Sequence, residues 1–387
     1  MPPTTPSEGR LYGRATVPAA GAATAPDRAR LAGPEGAPPT RGGPVYRGNR
    51  RGPRWGRIFL VLGAGLLALA LIASGAAWAY YKTVANDIDR SDPFSAIKAG
   101  RPDKPVKGSL NILMLGSDSR DPDHKGTAGE WRTDTMIIAH IPASHDKVYL
   151  VSLPRDLYVH VPKSQSNPKL GNTKAKLNAS YAWGGLPLTV QTIEGYTGLR
   201  MDHVVLIDFG GFKEVVDALG GVDMTIEQDV KSIHPPHRQF KKGPNHLDGA
   251  EALDYVRQRY QFPEGDFARM RHQQQFMKAV LDKAASSETL SNPKKLDGFL
   301  RATAKAITVD KDFSLVDMAL QFRGIRSDKL VFLVSPHLGS KIIKGEDVIQ
   351  PDDVKAKALY SAMKNDKTEE YLTQANQSAS PKASKGG

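Results

Sequence analysis

Four charged residues bracket the ends of two strand-like runs. Residues 110–115 are a short apolar run closed by Gly116, and the polar stretch beyond it carries Asp118 and Arg120. The next run opens with Arg132-Thr133-Asp134 and continues Met136-Ile137-Ile138-Ala139. Side chains two apart on a strand share a face, so Arg132 and Asp134 are expected to point the same way. Two carboxylates beside two guanidiniums suit a hard cation with phosphates: the cation takes oxygen ligands, and arginine grips phosphate oxygens in pairs.

Similar groups recur further along. Residues 147–153 alternate as a strand and stop at Pro154, leaving Arg155 and Asp156 at its exit. Arg257 and Arg259 lie two apart, which sets them on different faces of a continuous helix, but Pro263 and Gly265 end the helix and let both reach one site. Asp266 is then read as the N-cap of a second helix, with Arg269 and Gln273 on the same face. The arginine-rich set suits the charge of a pyrophosphate. For any single pair, a solvated ion pair is the better explanation, and for Asp266 alone a helix cap with an (i, i+3) partner. The recurrence favours a site.

Positioning them takes an α/β fold. Strand-like runs alternate with helical ones: 177–184 and 188–195 split by Gly184-Gly185, strand 203–209, helix 211–219, strand 222–230, helices 249–259 and 267–285, and strand 330–334. This pattern predicts a single α-β-α sandwich with a mixed central sheet. Residues 109–285 hold its core, 286–367 complete it with helices and a strand, and 368–387 read as a disordered tail. Residues 232–247, with His234-Pro235-Pro236-His237, read as a loop.

Upstream of the fold, residues 1–57 carry ten arginines against three acidic residues and are rich in Pro, Gly and Ala, predicting a disordered basic tail. Residues 58–81 hold no charge over 24 positions, enough for one transmembrane helix, and residues 82–108 read as a linker. Arginines crowd the amino side of the uncharged run, so the tail is expected in the cytoplasm and the domain outside, with the run kept as an anchor in the cell membrane. The chain's formal charge is +12, of which +7 belongs to the tail, and no nucleic-acid partner is expected. There is no cysteine, which excludes disulfides and thiolate chemistry, and no P-loop, HExxH or GxSxG pattern.

The blocks NILMLGSDSR (111–120), RTDTMII (132–138), SLPRDLYV (152–159), KLNASYAWGG (176–185), DFGGFKEVVDALGGV (208–222), LDGAEALDYVRQR (247–259) and DFARMRHQQ (266–274) together resemble, in order, those of the LytR-CpsA-Psr family. The resemblance implies a cell-wall glycopolymer phosphotransferase. Such an enzyme moves a glycan phosphate, from teichoic acid or another wall glycopolymer, off a polyprenyl-pyrophosphate carrier and onto peptidoglycan. It has pyrophosphatase activity when water attacks instead. By position the resemblance implies Mg²⁺ or Mn²⁺ on Asp118 and Asp134. It implies pyrophosphate contacts from Arg120, Arg132, Arg155, Arg257, Arg259 and Arg269, with Asp266 and Gln273 orienting them. Asp118, Asp134, Arg155 and Arg257 are thereby the expected catalytic set, and Asp134 and Asp156 the candidate general bases. His272-Gln273-Gln274 departs from the family's usual Arg-Gln-Gln, and Arg271 is the nearest guanidinium to take that part. A membrane-anchored transcriptional regulator and a non-catalytic lipid-linked glycan-binding module are the other function classes considered.

Overall fold

The computed structural model describes residues 71–379, apart from 73, 76–77, 98–99, 118–132, 315–316, 319–320 and 322–324. All of these fall in the unit spanning residues 67–387. The basic tail and most of the uncharged run lie outside the described residues, and among those described no helix is long and apolar enough to cross a membrane.

Seven strands make the central sheet: β1 (Asp89–Ser91), β2 (Leu110–Ser117), β3 (Thr133–Ile141), β4 (Val148–Ser152), β5 (His203–Asp208), β6 (Ile307–Asp310) and β7 (Leu330–Val334). Their order is β1-β6-β5-β2-β3-β4-β7. β2 runs parallel to β5 and antiparallel to β3, and β4 runs parallel to β7, so the sheet is mixed as the alternating pattern predicts. Around it stand α1 (Ala179–Thr197), α2 (Phe209–Ala218), α3 (Gly249–Arg257), α4 (Asp266–Ala284), α5 (Pro293–Ala306), α6 (Asp353–Lys364) and α7 (Thr368–Ala379).

The period-two alternation of β2 and β3 explains the layers. Leu113, Leu115, Met136 and Ile138 face one side and bury against Val190 and Ile193 of α1 and Leu359 and Tyr360 of α6. Ile112, Ile137, Ala139 and Ile141 face the other and pack with Ala304 and Ala306 of α5. A third cluster joins the Val222–Ile226 and Gly243–Leu247 hairpin to Tyr255 of α3 and Phe276 of α4.

Several elements differ from the sequence reading. The segment 82–108 is no free linker: β1 pairs with β6 at the sheet edge, and Arg101 makes a 2.7 Å ion pair with the buried Glu194. Its short apolar stretches were too brief to register as periodic, yet Val84, Ile88 and Ile97 are all buried. The expected tail from residue 368 begins instead with α7, which turns Tyr371 onto the core and pairs Glu369 with Lys147. Residues 243–247 are a strand, and α5 gives way at Ile307 to β6, whose β-branched Ile307-Thr308-Val309 suits an extended backbone. The expected break in α1 is present: Gly184 and Gly185 leave helical geometry just before Pro187.

Candidate functional site

Between the sheet and the helices α2, α3 and α4 lies a cavity of about 430 Å³. Its interior is apolar. Met114 of β2, Ile137 of β3 and Ile207 of β5 form the sheet side, and Phe212, Leu253, Val256, Phe276 and Met277 the helix side. Phe212 and Phe276 stack with ring centroids 4.2 Å apart.

Arg155, Arg257, Arg259 and Arg269 also line it, with Gln273, His234 and Tyr260, and three of these arginines converge on Asp266. Local geometry accounts for the convergence. α3 starts in a capping box of Asp248 and Glu251 and ends at Arg257; Gln258 is extended, its amide tied to Asp254 at 2.7 Å and Ser232 at 2.9 Å. The backbone therefore leaves helical geometry between Arg257 and Arg259, and both side chains reach the cavity. Gly265, at φ +55°, caps α4 in a left-handed conformation that favours glycine. Asp266 is thus the first residue of α4 rather than its cap.

Its carboxylate instead spaces the arginines. Oδ1 lies 2.7 Å from Arg269, 3.7 Å from Arg259 and 4.0 Å from Arg155. The Arg269 side chain is only 6% exposed, so this pair is shielded from solvent. One turn on, Gln273 donates to the Thr135 hydroxyl at 2.7 Å and Gln274 to the Ser152 hydroxyl at 3.2 Å, pinning α4 across β3 and β4.

Five of the expected residues, Arg155, Arg257, Arg259, Arg269 and Gln273, line this cavity, and Asp266 ties three of those arginines together. Asp118, Arg120 and Arg132 lie outside the described residues, as does the side chain of Asp134. The Asp134 backbone belongs to β3, next to Thr135 and opposite the register shift between Gly116 and Ser117. Among the described residues no three His, Asp or Glu side chains gather as a metal site, and guanidiniums offer no oxygen ligand. Asp156 is paired with Arg155 at 3.3 Å and Lys176 at 3.8 Å, off the cavity wall.

His272 does not occupy a phosphate-facing position. It is fully buried between Tyr255 and Phe262, ring centroids 4.6 Å away in each case, and burial lowers its pKa to about 4. Arg271 is half-exposed and makes two 2.9 Å bonds to Glu227, so it does not stand in for the arginine expected at 272.

His234 and Tyr260 went unrecognised as site residues in the sequence. The HPPH stretch, read as a loop, sets His234 against the cavity, its pKa lowered by desolvation and then by the Arg257 charge. Tyr260 lies beneath the Arg259 guanidinium, 4.5 Å from its ring centroid.

Comparison with known proteins adds a lineage. The model of the LytR_cpsA_psr family matches residues 77–365. A polyisoprenyl-teichoic acid–peptidoglycan teichoic acid transferase TagU of Enterococcus faecalis is 30% identical over 286 residues, 71% of this chain and 87% of that protein. The Bacillus cereus protein of the same name is 33% identical over 235 residues, 59% of this chain and 72% of its own. The crystal structure of B. subtilis TagV superposes with TM-score 0.55 at 26% identity, covering 68% of this chain and 98% of TagV. TagT bound to LI-WTA gives TM-score 0.54 at 25% identity, over 70% and 97%.

Proposed function

The chain belongs to the LytR-CpsA-Psr family, and from that premise we propose that it transfers a glycan phosphate from a polyprenyl-pyrophosphate donor onto peptidoglycan. The observation that carries the reading is the pairing of an apolar cavity with an arginine cluster at its wall. A donor of this class has the same two halves: an isoprenoid that seeks apolar surface, and a diphosphate that seeks guanidiniums.

The isoprenoid lies among Met114, Ile207, Phe212, Phe276 and Met277, and the diphosphate meets Arg155, Arg257, Arg259 and Arg269. Asp266 and Gln273 hold the guanidiniums and α4 in place. A sugar hydroxyl of the acceptor attacks the glycan-side phosphorus; a P–O bond forms, the pyrophosphate P–O bond breaks, and polyprenyl phosphate departs with its charge held by the arginines. Such chemistry is mainly positioning and charge neutralisation, which this set supplies. The hydroxyl proton passes to a carboxylate, for which Asp134 and Asp156 are the candidates. Mg²⁺ or Mn²⁺ on Asp118 and Asp134 would add charge neutralisation at the diphosphate. Water in place of the sugar makes the reaction pyrophosphate hydrolysis.

The proposal includes a single-pass protein of the cell membrane, its amino terminus cytoplasmic and its catalytic domain outside. The basic leader and the 24 uncharged residues support it, and a lipid donor gives the anchor a purpose.

The test uses the full chain in detergent with a polyprenyl-pyrophosphate oligosaccharide, Mg²⁺ and peptidoglycan, read by mass spectrometry. A phosphodiester-linked conjugate, absent with chelator and in Asp134→Ala, is the expected result. Tight donor binding with no conjugate and no released polyprenyl phosphate would overturn the transferase in favour of a carrier-binding module.

A further inference from the structure

A second cleft, of about 600 Å³, adjoins the turn that carries Arg155. Its walls are the hairpin of Tyr158–Val161 and Thr173–Lys176, the start of α1, and the hairpin of His337–Ile343 and Glu346–Pro351. The lining is unlike that of the first cavity. Lys174, Lys176, Lys344 and Asn178 stand beside the rings of Tyr158 and Trp183.

Trp183 is held there by a specific device. Its carbonyl would bond the N–H of residue 187 in a regular helix, but residue 187 is proline and has none. The Ser164 hydroxyl donates to that carbonyl instead, at 2.8 Å, while Gly184 and Gly185 break the helix just beyond. The kink therefore fixes the indole half-buried at the cleft.

The two cavities are wired together through two consecutive residues. Arg155 lines the first and lies 4.0 Å from Asp266; Asp156 lies 3.8 Å from Lys176, which lines the second. Lys176 is in turn 3.5 Å from Glu346. The backbone repeats the connection, because Asn178 N–H donates to the Arg155 carbonyl at 3.0 Å and Ile349 N–H to that of Asp156 at 2.9 Å. A ligand in the second cleft thus lies next to the arginine cluster without competing for the apolar cavity.

Resting on the transferase reading above, we propose that this cleft is the acceptor site, and that it binds a glycan strand of N-acetylated amino sugars bearing carboxylates, the chemistry of peptidoglycan. Amphipathic rings such as Trp183 and Tyr158 offer apolar faces to sugar C–H groups and tolerate water at their edges. Three lysines against Glu346 match the carboxylates of muramyl and peptide groups. An uncharged chitin-like strand satisfies only the rings.

The test is calorimetric titration of the full chain with soluble muramyl-peptide glycan fragments, with no donor present. The wild type is expected to bind, Trp183→Ala to weaken binding about tenfold or more, and the exposed Lys174→Glu to weaken it severalfold. Chitin oligomers of equal length should bind more weakly and ignore Lys174→Glu. A wild type that does not bind fragments, or two variants that bind them unchanged, overturns the proposal. The parent reading is judged separately: a wild type that binds fragments but turns over no donor ends the transferase and keeps the cleft. A wild type that makes conjugate with an acceptor KM unmoved by both variants does the reverse.

Discussion

Asp266→Asn isolates the charge that organises the donor site. Asparagine keeps the shape of the side chain and one oxygen for Arg269 but removes the negative charge. The bond lost in strength is the 2.7 Å pair with Arg269, whose side chain is 6% exposed. An ion pair this close and largely shielded from solvent is worth somewhat more than an exposed one, so this term costs about 1.5 kcal/mol. The contacts to Arg259 at 3.7 Å and Arg155 at 4.0 Å are longer and wetter, and add about 0.5 kcal/mol each. A loss of about 2–3 kcal/mol corresponds to a fall in Tm of about 5 °C for a domain of this size. Bound pyrophosphate supplies the missing negative charge, so the deficit should shrink by about half or more in its presence. Thermal unfolding followed by circular dichroism, with and without millimolar pyrophosphate, measures both numbers. A Tm deficit equal in the two conditions would show that Asp266 acts as an ordinary first-turn residue of α4, and would refute its role in spacing the arginines.

Phe276→Ala removes one half of the ring stack with Phe212 and should cost about 3 kcal/mol of stability. It should also raise the KM for polyprenyl donors while leaving affinity for inorganic pyrophosphate unchanged; an unmoved donor KM would take the isoprenoid out of this cavity. Gly211→Ala drives a Cβ to 2.4 Å from Ala306, forcing α2 away from α5, and a loss of about 2 kcal/mol is expected in denaturant melts. A midpoint within error of wild type would mean that the helices separate freely. His272 and His140 are buried with pKa values lowered to about 4, chiefly by desolvation. Their unfolded forms take up protons below about 6.5, so stability should be lost as pH falls from 6.5 towards 4, by roughly 3 kcal/mol per histidine, and level off below. His272→Leu should remove about half of that slope in Tm against pH, and an unchanged slope would contradict the burial argument.

The sheet and the arginine cluster were legible for different reasons. The short apolar runs at residues 110–115 and 136–139, bounded by Gly116 and by the polar Arg132-Thr133-Asp134, read as buried strands because a core-facing strand covered on both sides needs apolar side chains at successive positions. The cluster was legible through breaks: Pro154, Pro263 and Gly265 each stop an element just where an arginine follows or precedes. The apolar cavity was not legible. Met114, Phe212, Leu253 and Phe276 have the same periodic signature as core residues, and only three-dimensional placement shows that they enclose space instead of filling it. β1 escaped notice because three residues carry no period, and α7 because its polar sequence has one aromatic anchor, Tyr371. His272 shows the limit of a motif read by position. Between the cavity-facing Arg269 and Gln273, within the same turn of α4, His272 is buried on Tyr255, and the sequence does not announce which side a substitution takes.

The choice of arginine for the donor site follows from the company it keeps. An ammonium beside Leu253, Val256 and Phe276 would lose a tightly held hydration shell, whereas a guanidinium is weakly hydrated and stacks on rings, as Arg259 does on Tyr260. Lysines appear where the environment is wet, in the second cleft. Among the described residues, four arginines and Asp266 leave the proposed donor site positively charged even against a donor's two ionised phosphates. On the proposed reading, that residual charge is what a leaving phosphate meets as the bond to the glycan-side phosphorus breaks. Asp156, between Arg155 and Lys176, sets a carboxylate at the join between the two cavities, and an incoming hydroxyl presented from the lysine-lined side would meet a negative group before it meets the arginines. On the proposed reading, the same two-residue step that divides apolar from polar surroundings divides leaving group from nucleophile.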